Sequence, residues 1–162
     1  MEIYLIRHGI AVERGIYNDD AARPLTVKGI KRTTKVAQKL AQLHLKFDYL
    51  LTSPLIRARE TASIFKQAGL ATEIIRDRTL APAGEIHLWL DWLKTHYQET
   101  AKVALVGHQP DLGDWAEILV FGASKQHLRL KKAGIIGIKI YDPLAPLGNS
   151  ELFLFTAPKW LV

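Results

Sequence analysis

Short apolar runs alternate with helix-period segments over residues 1–120, and this rhythm narrows the fold more than any other feature. The runs are EIYLI (2–6), DYLLT (48–52), ATEII (71–75) and KVALV (102–106). Between them lie stretches long enough for a crossover helix. Alternation of this kind builds βαβ units, a mainly parallel sheet and helices on its two faces. KVALV is apolar enough to be central. Beyond residue 120 the pattern turns to β: HLRLK (127–131), GIIGIKIY (134–141) and ELFLFT (151–156), with the Pro/Gly loop DPLAPLGNS (142–150) before the last. The expected fold is α/β: a three-layer αβα sandwich whose mainly parallel sheet is closed by antiparallel C-terminal strands. A chain of 162 residues fits a single domain, 1–162.

Local signals place the helices. Thr26 is an N-cap for a helix over 26–43, with Ile30, Thr34, Ala37 and Ala41 at helical spacing beside Leu40. Ser53-Pro54 reads as an N-cap followed by proline at the first helical position, and Gly69 ends that helix. Ile86, Trp89, Leu90, Leu93 and Tyr97 form a third stripe; Leu112, Trp115, Ala116 and Leu119 form a fourth. The stretch ERGIYNDDAARP (13–24) lacks periodicity and reads as a long loop, a kind of segment that is usually functional.

Ligands of parallel α/β sheets bind beyond the carboxyl ends of the strands. Arg7, His8 and Gly9 follow the first strand. Arg57, in SPLIRARET, falls in the first turn of the helix after the second. His108, in GHQPD, follows the fourth. Two histidines and two arginines thus reach one edge. Arginine offers a planar fork of donors that matches phosphate oxygens. Glycines such as Gly9 and Gly107 let backbone approach an anion closely. A histidine among cations has its protonated form disfavoured, and a neutral imidazole is a nucleophile. The pattern points to phosphoryl chemistry.

Composition removes other chemistries. There are no cysteines, which excludes disulfides, thiolate catalysis and cysteine-ligated metals. Net charge is +6, favouring anionic partners. The first apolar run is broken by Arg7 and His8, too early for a signal peptide. No segment approaches the length of a membrane span. A cytoplasmic protein is expected, with no membrane or nucleic-acid partner and monomer as the default.

LIRHG, RPLTVKG, SPLIRARET and VGHQP, in that order, resemble the histidine phosphatase superfamily, which has the phosphoglycerate-mutase-like fold. The length, RPLT..G and LAPAGE resemble its small SixA-type phosphohistidine phosphatases. The resemblance covers nearly the whole chain. It implies His8 as the nucleophile, Arg7 and Arg57 as phosphate-clamping arginines, and His108 as a second histidine donating to the phosphoryl group. It further implies that Arg23 reaches in from the long loop. Larger relatives carry a carboxylic acid that protonates the leaving group; Glu85 stands at roughly that place, and equally suits a helix start. The implied activity is phosphohistidine hydrolysis on a phosphorylated signalling or phosphotransfer protein, with no metal or other cofactor. A small-molecule phosphomonoesterase and a non-catalytic phosphate-binding module are the alternatives.

Lys28, Lys31, Arg32, Lys35 and Lys39 form a basic stripe on the first helix. It fits a solvated face, an acidic protein partner or nonspecific nucleic-acid contact. His87 and Asp91, four apart, read as a surface pair. The four tryptophans (Trp89, Trp92, Trp115 and Trp160) read as core or surface packing rather than base-stacking platforms.

Overall fold

The strands β1 (Glu2–Arg7), β2 (Tyr49–Thr52), β3 (Ile75–Arg76), β4 (Lys102–Gly107), β5 (Ile135–Lys139) and β6 (Glu151–Thr156) form one sheet, ordered β3-β2-β4-β1-β5-β6. These coordinates are a computed structural model covering residues 1–162. From β3 to β1 the strands are parallel; β5 is antiparallel to β1, and β6 to β5.

Four helices cover the sheet: α1 (Val27–Gln42), α2 (Ile56–Gln67), α3 (Ile86–His96) and α4 (Asp111–Phe121). Successive strand residues point to opposite faces, and β1 divides its side chains accordingly. Tyr4 and Ile6 pack with Val36 and Leu40 of α1 and Phe65 of α2. Ile3 and Leu5 pack with Trp89 and Leu93 of α3 and Leu112 and Leu119 of α4. Two apolar cores therefore sandwich one sheet, giving the expected three layers. Burying each such side chain contributes roughly 1.5–3 kcal/mol relative to leaving it exposed.

Thr26 caps α1 as its sequence predicts, its Oγ1 accepting from Gly29 N at 3.0 Å. Gly29 is required by contact: a Cβ there would stand 2.0 Å from the Ile10 carbonyl oxygen. This close approach seats the start of α1 against the segment leaving β1.

Four local expectations are corrected. The third strand is only Ile75–Arg76, both exposed, because at the sheet edge it pairs with nothing but Leu51 and Thr52. HLRLK forms no strand. Instead the buried Glu117 carboxylate accepts the backbone N–H groups of Lys125, His127 and Leu128, which satisfies that segment outside any ladder. Ser53 is not the N-cap of α2; an extended Leu55 is, without a side-chain bond of its own, and the Ser53 hydroxyl accepts from Leu55 N at 3.3 Å and also bonds the His108 ring. The buried face of α1 is Thr33, Val36, Ala37 and Leu40, one step round from the expected stripe, which leaves Ile30 44% exposed.

One smaller reading changes, and the tryptophans divide between core and surface. Asp91 pairs with Lys94 at 3.4 Å, not with His87. Trp89 and Trp115 are core, whereas Trp160 is 76% exposed.

Candidate active site

β1 leads into α1 on one face of the sheet, and β4 leads into α4 on the other. The crevice between two neighbouring strands whose connections diverge is where α/β sheets bind ligands. Arg7 pairs with Gly107 in the β1–β4 register, and His8 N donates to the Gly107 carbonyl at 3.1 Å. His8 and His108 thus emerge side by side at that crevice, with ring centroids 5.1 Å apart.

A cavity of about 570 Å³ opens there, walled by Arg7, His8, Arg23, Arg57, His108 and Lys132. Nδ1 of His8 lies 2.8 Å from the Gly9 carbonyl oxygen. A carbonyl only accepts, so Nδ1 carries the proton and the Nε2 lone pair faces the cavity. Arg57 Nε donates to that Nε2 at 3.3 Å. The Lys132 ammonium stands 3.4 Å from it.

Both imidazoles are neutral. Burial, then the Lys132 charge, lowers the His8 pKa to about 2. Burial, then Arg57, lowers that of His108 to about 3. Nε2 of His108 shares a hydrogen bond with the Ser53 hydroxyl at 2.8 Å, which fixes its ring.

The arginines are held but not saturated. Arg7 Nη1 donates to Leu130 O at 2.7 Å, while its buried Nε has no partner. A buried donor left unpaired is costly. Arg23 is 5% exposed, its Nη1 on Val12 O at 2.5 Å. Asp20 ties the two remaining guanidinium groups together: its carboxylate accepts from Arg23 at 2.8 Å and Arg57 at 3.1 Å. The long loop thereby delivers Arg23 to Arg57. The hydrogen bond from Arg23, with Arg57 beside it, holds the Asp20 carboxyl below its usual range.

Five of the seven expected residues, Arg7, His8, Arg23, Arg57 and His108, meet in this cavity. Gly9 does not wall it. Its N–H donates to Thr61 Oγ1 at 3.0 Å, and a Cβ on Gly9 would reach 2.4 Å from Thr33 Oγ1, so Gly9 serves helix packing. Glu85 lies outside the cavity too, exposed at the N-cap of α3 with no side-chain bond. The carboxyls in the wall are Glu13 and Asp111; Asp111 Oδ2 accepts from Ala83 N at 3.1 Å, and burial raises its pKa.

The sequence pattern of the histidine phosphatase superfamily (branch 1) matches residues 3–102, more than half of the chain. The chain belongs to the histidine phosphatase superfamily. An uncharacterised protein of Picosynechococcus is 50% identical over 100% of this chain and 99% of its own length. The phosphohistidine phosphatase SixA homologue of Haemophilus influenzae is 34% identical over 70% of this chain and 74% of its own. An adenosylcobalamin/alpha-ribazole phosphatase of Salmonella typhi is 30% identical over 71% of this chain and 54% of its own. The solved structure of the protein histidine phosphatase SixA complexed with tungstate superposes over 100% of both chains, with a TM-score of 0.86 at 23% identity. The phosphoglycerate-mutase-like α/β fold is thereby shown.

In this histidine phosphatase, reading along the sequence misses two further cations of the cavity wall, Arg14 and Lys132. Parallel strands deliver the residues that follow them to the carboxyl edge, whereas an antiparallel strand delivers those that precede it. Lys132 sits three residues before β5, the antiparallel neighbour of β1. The turn is pinned by Ala133 N, which bonds the Arg7 and His8 carbonyls at 3.1 and 3.2 Å, and by Gln109, which bonds the backbone of Leu128 and Leu130. The signal available in sequence was KKAG directly before an apolar run.

Proposed function

We propose that this histidine phosphatase hydrolyses phosphohistidine on a phosphorylated signalling or phosphotransfer protein through a covalent phosphohistidine at His8. The observation that carries the reading is the His8 Nε2 lone pair, facing a cavity walled by Arg7, Arg23, Arg57 and Lys132.

Two steps account for the reaction. His8 Nε2 attacks phosphorus in line; the new N–P bond forms as the substrate's P–N bond breaks, and the leaving imidazole nitrogen takes a proton from water. Water then attacks the phosphorus, its proton passes to solvent, phosphate leaves and Nε2 regains its lone pair. Arg7, Arg23, Arg57, Lys132 and His108 stabilise charge on the three equatorial oxygens. Because both imidazoles are neutral, the nucleophile needs no prior deprotonation. Imidazole leaves without a strong acid nearby, which suits a cavity lacking Glu85.

The similarity to SixA proteins supports phosphohistidine as substrate. A second reading, a small phosphomonoester, is favoured by Asp111: a carboxyl with a raised pKa in the cavity wall is placed to protonate an alkoxide.

Side-by-side hydrolysis of a phosphohistidine protein and a panel of sugar and nucleotide phosphates decides between them. The proposal expects the higher kcat/KM on the phosphohistidine protein, with turnover lost in His8→Ala. Faster hydrolysis of a phosphate ester would transfer the assignment to the second reading.

A further inference from the structure

Helix α1 carries Lys28, Lys31, Arg32, Lys35 and Lys39 and no acidic residue. None of the five has a carboxylate within ion-pair reach. Neighbours three and four apart therefore repel, as Lys28 does Lys31 and Arg32, and Lys31 does Lys35. Lys28 also sits in the first turn, at the positive end of the helix dipole, where cations are disfavoured. An ordinary solvated face mixes signs. This one stores repulsion that an anionic partner would relieve.

The stripe is continuous with the catalytic cavity. Lys132 walls the cavity and also a shallow groove with Arg32, Lys131 and Lys159. Arg32 in turn walls a second groove with Lys28, Lys31, Lys35, Val27 and Val162. A track of cation-lined grooves, joined at Lys132 and Arg32, thus runs from His8 to the third turn of α1. Apolar side chains stud it: Val27 is 70% exposed and Val162 49%.

We propose that this track is the docking surface for the acidic face of the phosphoprotein substrate, an inference that rests on phosphohistidine hydrolysis at His8. Whatever covers the track must present a terminal phosphoryl group at His8 at the same time. A protein bearing a phosphorylated side chain beside acidic and apolar residues meets both conditions. Nucleic-acid backbone consists of diesters and places no apolar groups against Val27 and Val162.

The test is the triple variant Lys28→Glu/Lys31→Glu/Lys35→Glu, three exposed positions outside the cavity. Its kcat/KM is compared with the parent's on two probes: a histidine-phosphotransfer protein phosphorylated with phosphoramidate, and free phosphohistidine. The inference expects a loss of about 10-fold or more on the protein, the scale of electrostatic steering, carried by KM and shrinking at high salt. Free phosphohistidine is hydrolysed at the parent's rate, which also shows that the variant is folded. Equal rates of parent and variant on the protein would overturn the docking surface alone. A parent inactive on both probes would overturn the phosphohistidine reading and the surface with it. Tight binding of duplex DNA by the parent at about 0.15 M salt, lost in the variant, would assign the track to nucleic acid instead.

Discussion

His8 and His108 stand one residue beyond the paired register Arg7–Gly107, which brings their rings to 5.1 Å from one another. Hydrogen bonding across β1 and β4 therefore sets the spacing of the two imidazoles, although the residues lie 100 positions apart. Rigid strands position such groups better than loops do. Burial first, and the neighbouring cations after it, keep both rings neutral.

Both imidazoles remain neutral throughout the physiological range, since burial and the surrounding charges place their pKa values at about 2 and about 3. Their ring NMR signals are expected to stay fixed between about pH 5 and 8. An inflection near the ordinary histidine value of about 6.5 in either ring would contradict the electrostatics described here.

Lys132 gives the reaction an alkaline limit. Burial, then Arg7 and Arg57, lowers its pKa to about 8. Below that pH it is charged and, in the proposed mechanism, stabilises the phosphoryl oxygens; above it the charge is lost, so kcat/KM is expected to fall. The pH profile of kcat/KM reports groups of the free enzyme. Lys132→Met is expected to lower kcat/KM by about 10²-fold near pH 7, the usual scale for one such donor, and to abolish the limb near pH 8. A variant that keeps the wild-type limb would remove Lys132 from the chemistry.

Glu85→Gln changes turnover by no more than about a factor of two on any substrate, as befits an exposed site away from the cavity. Asp111→Asn is expected to cost more on alkyl phosphates than on phosphohistidine, because an alkoxide needs a proton that imidazole does not. The paired comparison of kcat on both substrate classes checks this. A large Glu85 effect confined to alkyl phosphates would return the acid role to Glu85.

Glu117 holds the segment leading to Lys132. Burial works to raise its carboxyl, but hydrogen bonds from Lys125, Leu128 and His127 outweigh this and lower the pKa. A group with a lowered native pKa stabilises the fold above its unfolded value, and that contribution is lost as pH falls through the native value. Glu117→Gln is expected to cost about 1.5–3 kcal/mol near pH 7, measured by denaturant unfolding. The gap from wild type narrows on acidification below about pH 4.3. A gap independent of pH would show that the charge on Glu117 contributes nothing.

Much of this was legible along the chain, and the lapses share a cause. β1, β2 and β4 are buried on both faces, so their apolar runs announce them. LIRHG, SPLIRARET and GHQPD follow parallel strands, and the edge to which they run is dictated by topology. ATEII and HLRLK failed because one pairs with too little neighbouring strand and the other is satisfied by the Glu117 side chain. Neither fact exists at the level of local pattern. Lys132 was missed for a topological reason: it precedes an antiparallel strand. Glu85 leaves two readings open in the sequence, because a helix-start carboxylate has the same local signature whether or not it faces a cavity; the structure places it at the start of α3. Ser53 looked like a cap because its hydroxyl preference for a helix start is the same before the His108 ring claims it.

The central claim is that phosphoryl groups pass through His8, and rapid quenching during turnover tests it most directly. The reaction with a phosphohistidine substrate is stopped in alkaline denaturant, which preserves the acid-labile N–P bond, and the digested enzyme is examined by mass spectrometry. The account predicts a phosphoryl group on the peptide containing His8 within the first turnover. A phosphoryl group on another residue, or a full turnover with His8 unmodified at every time point, would contradict it.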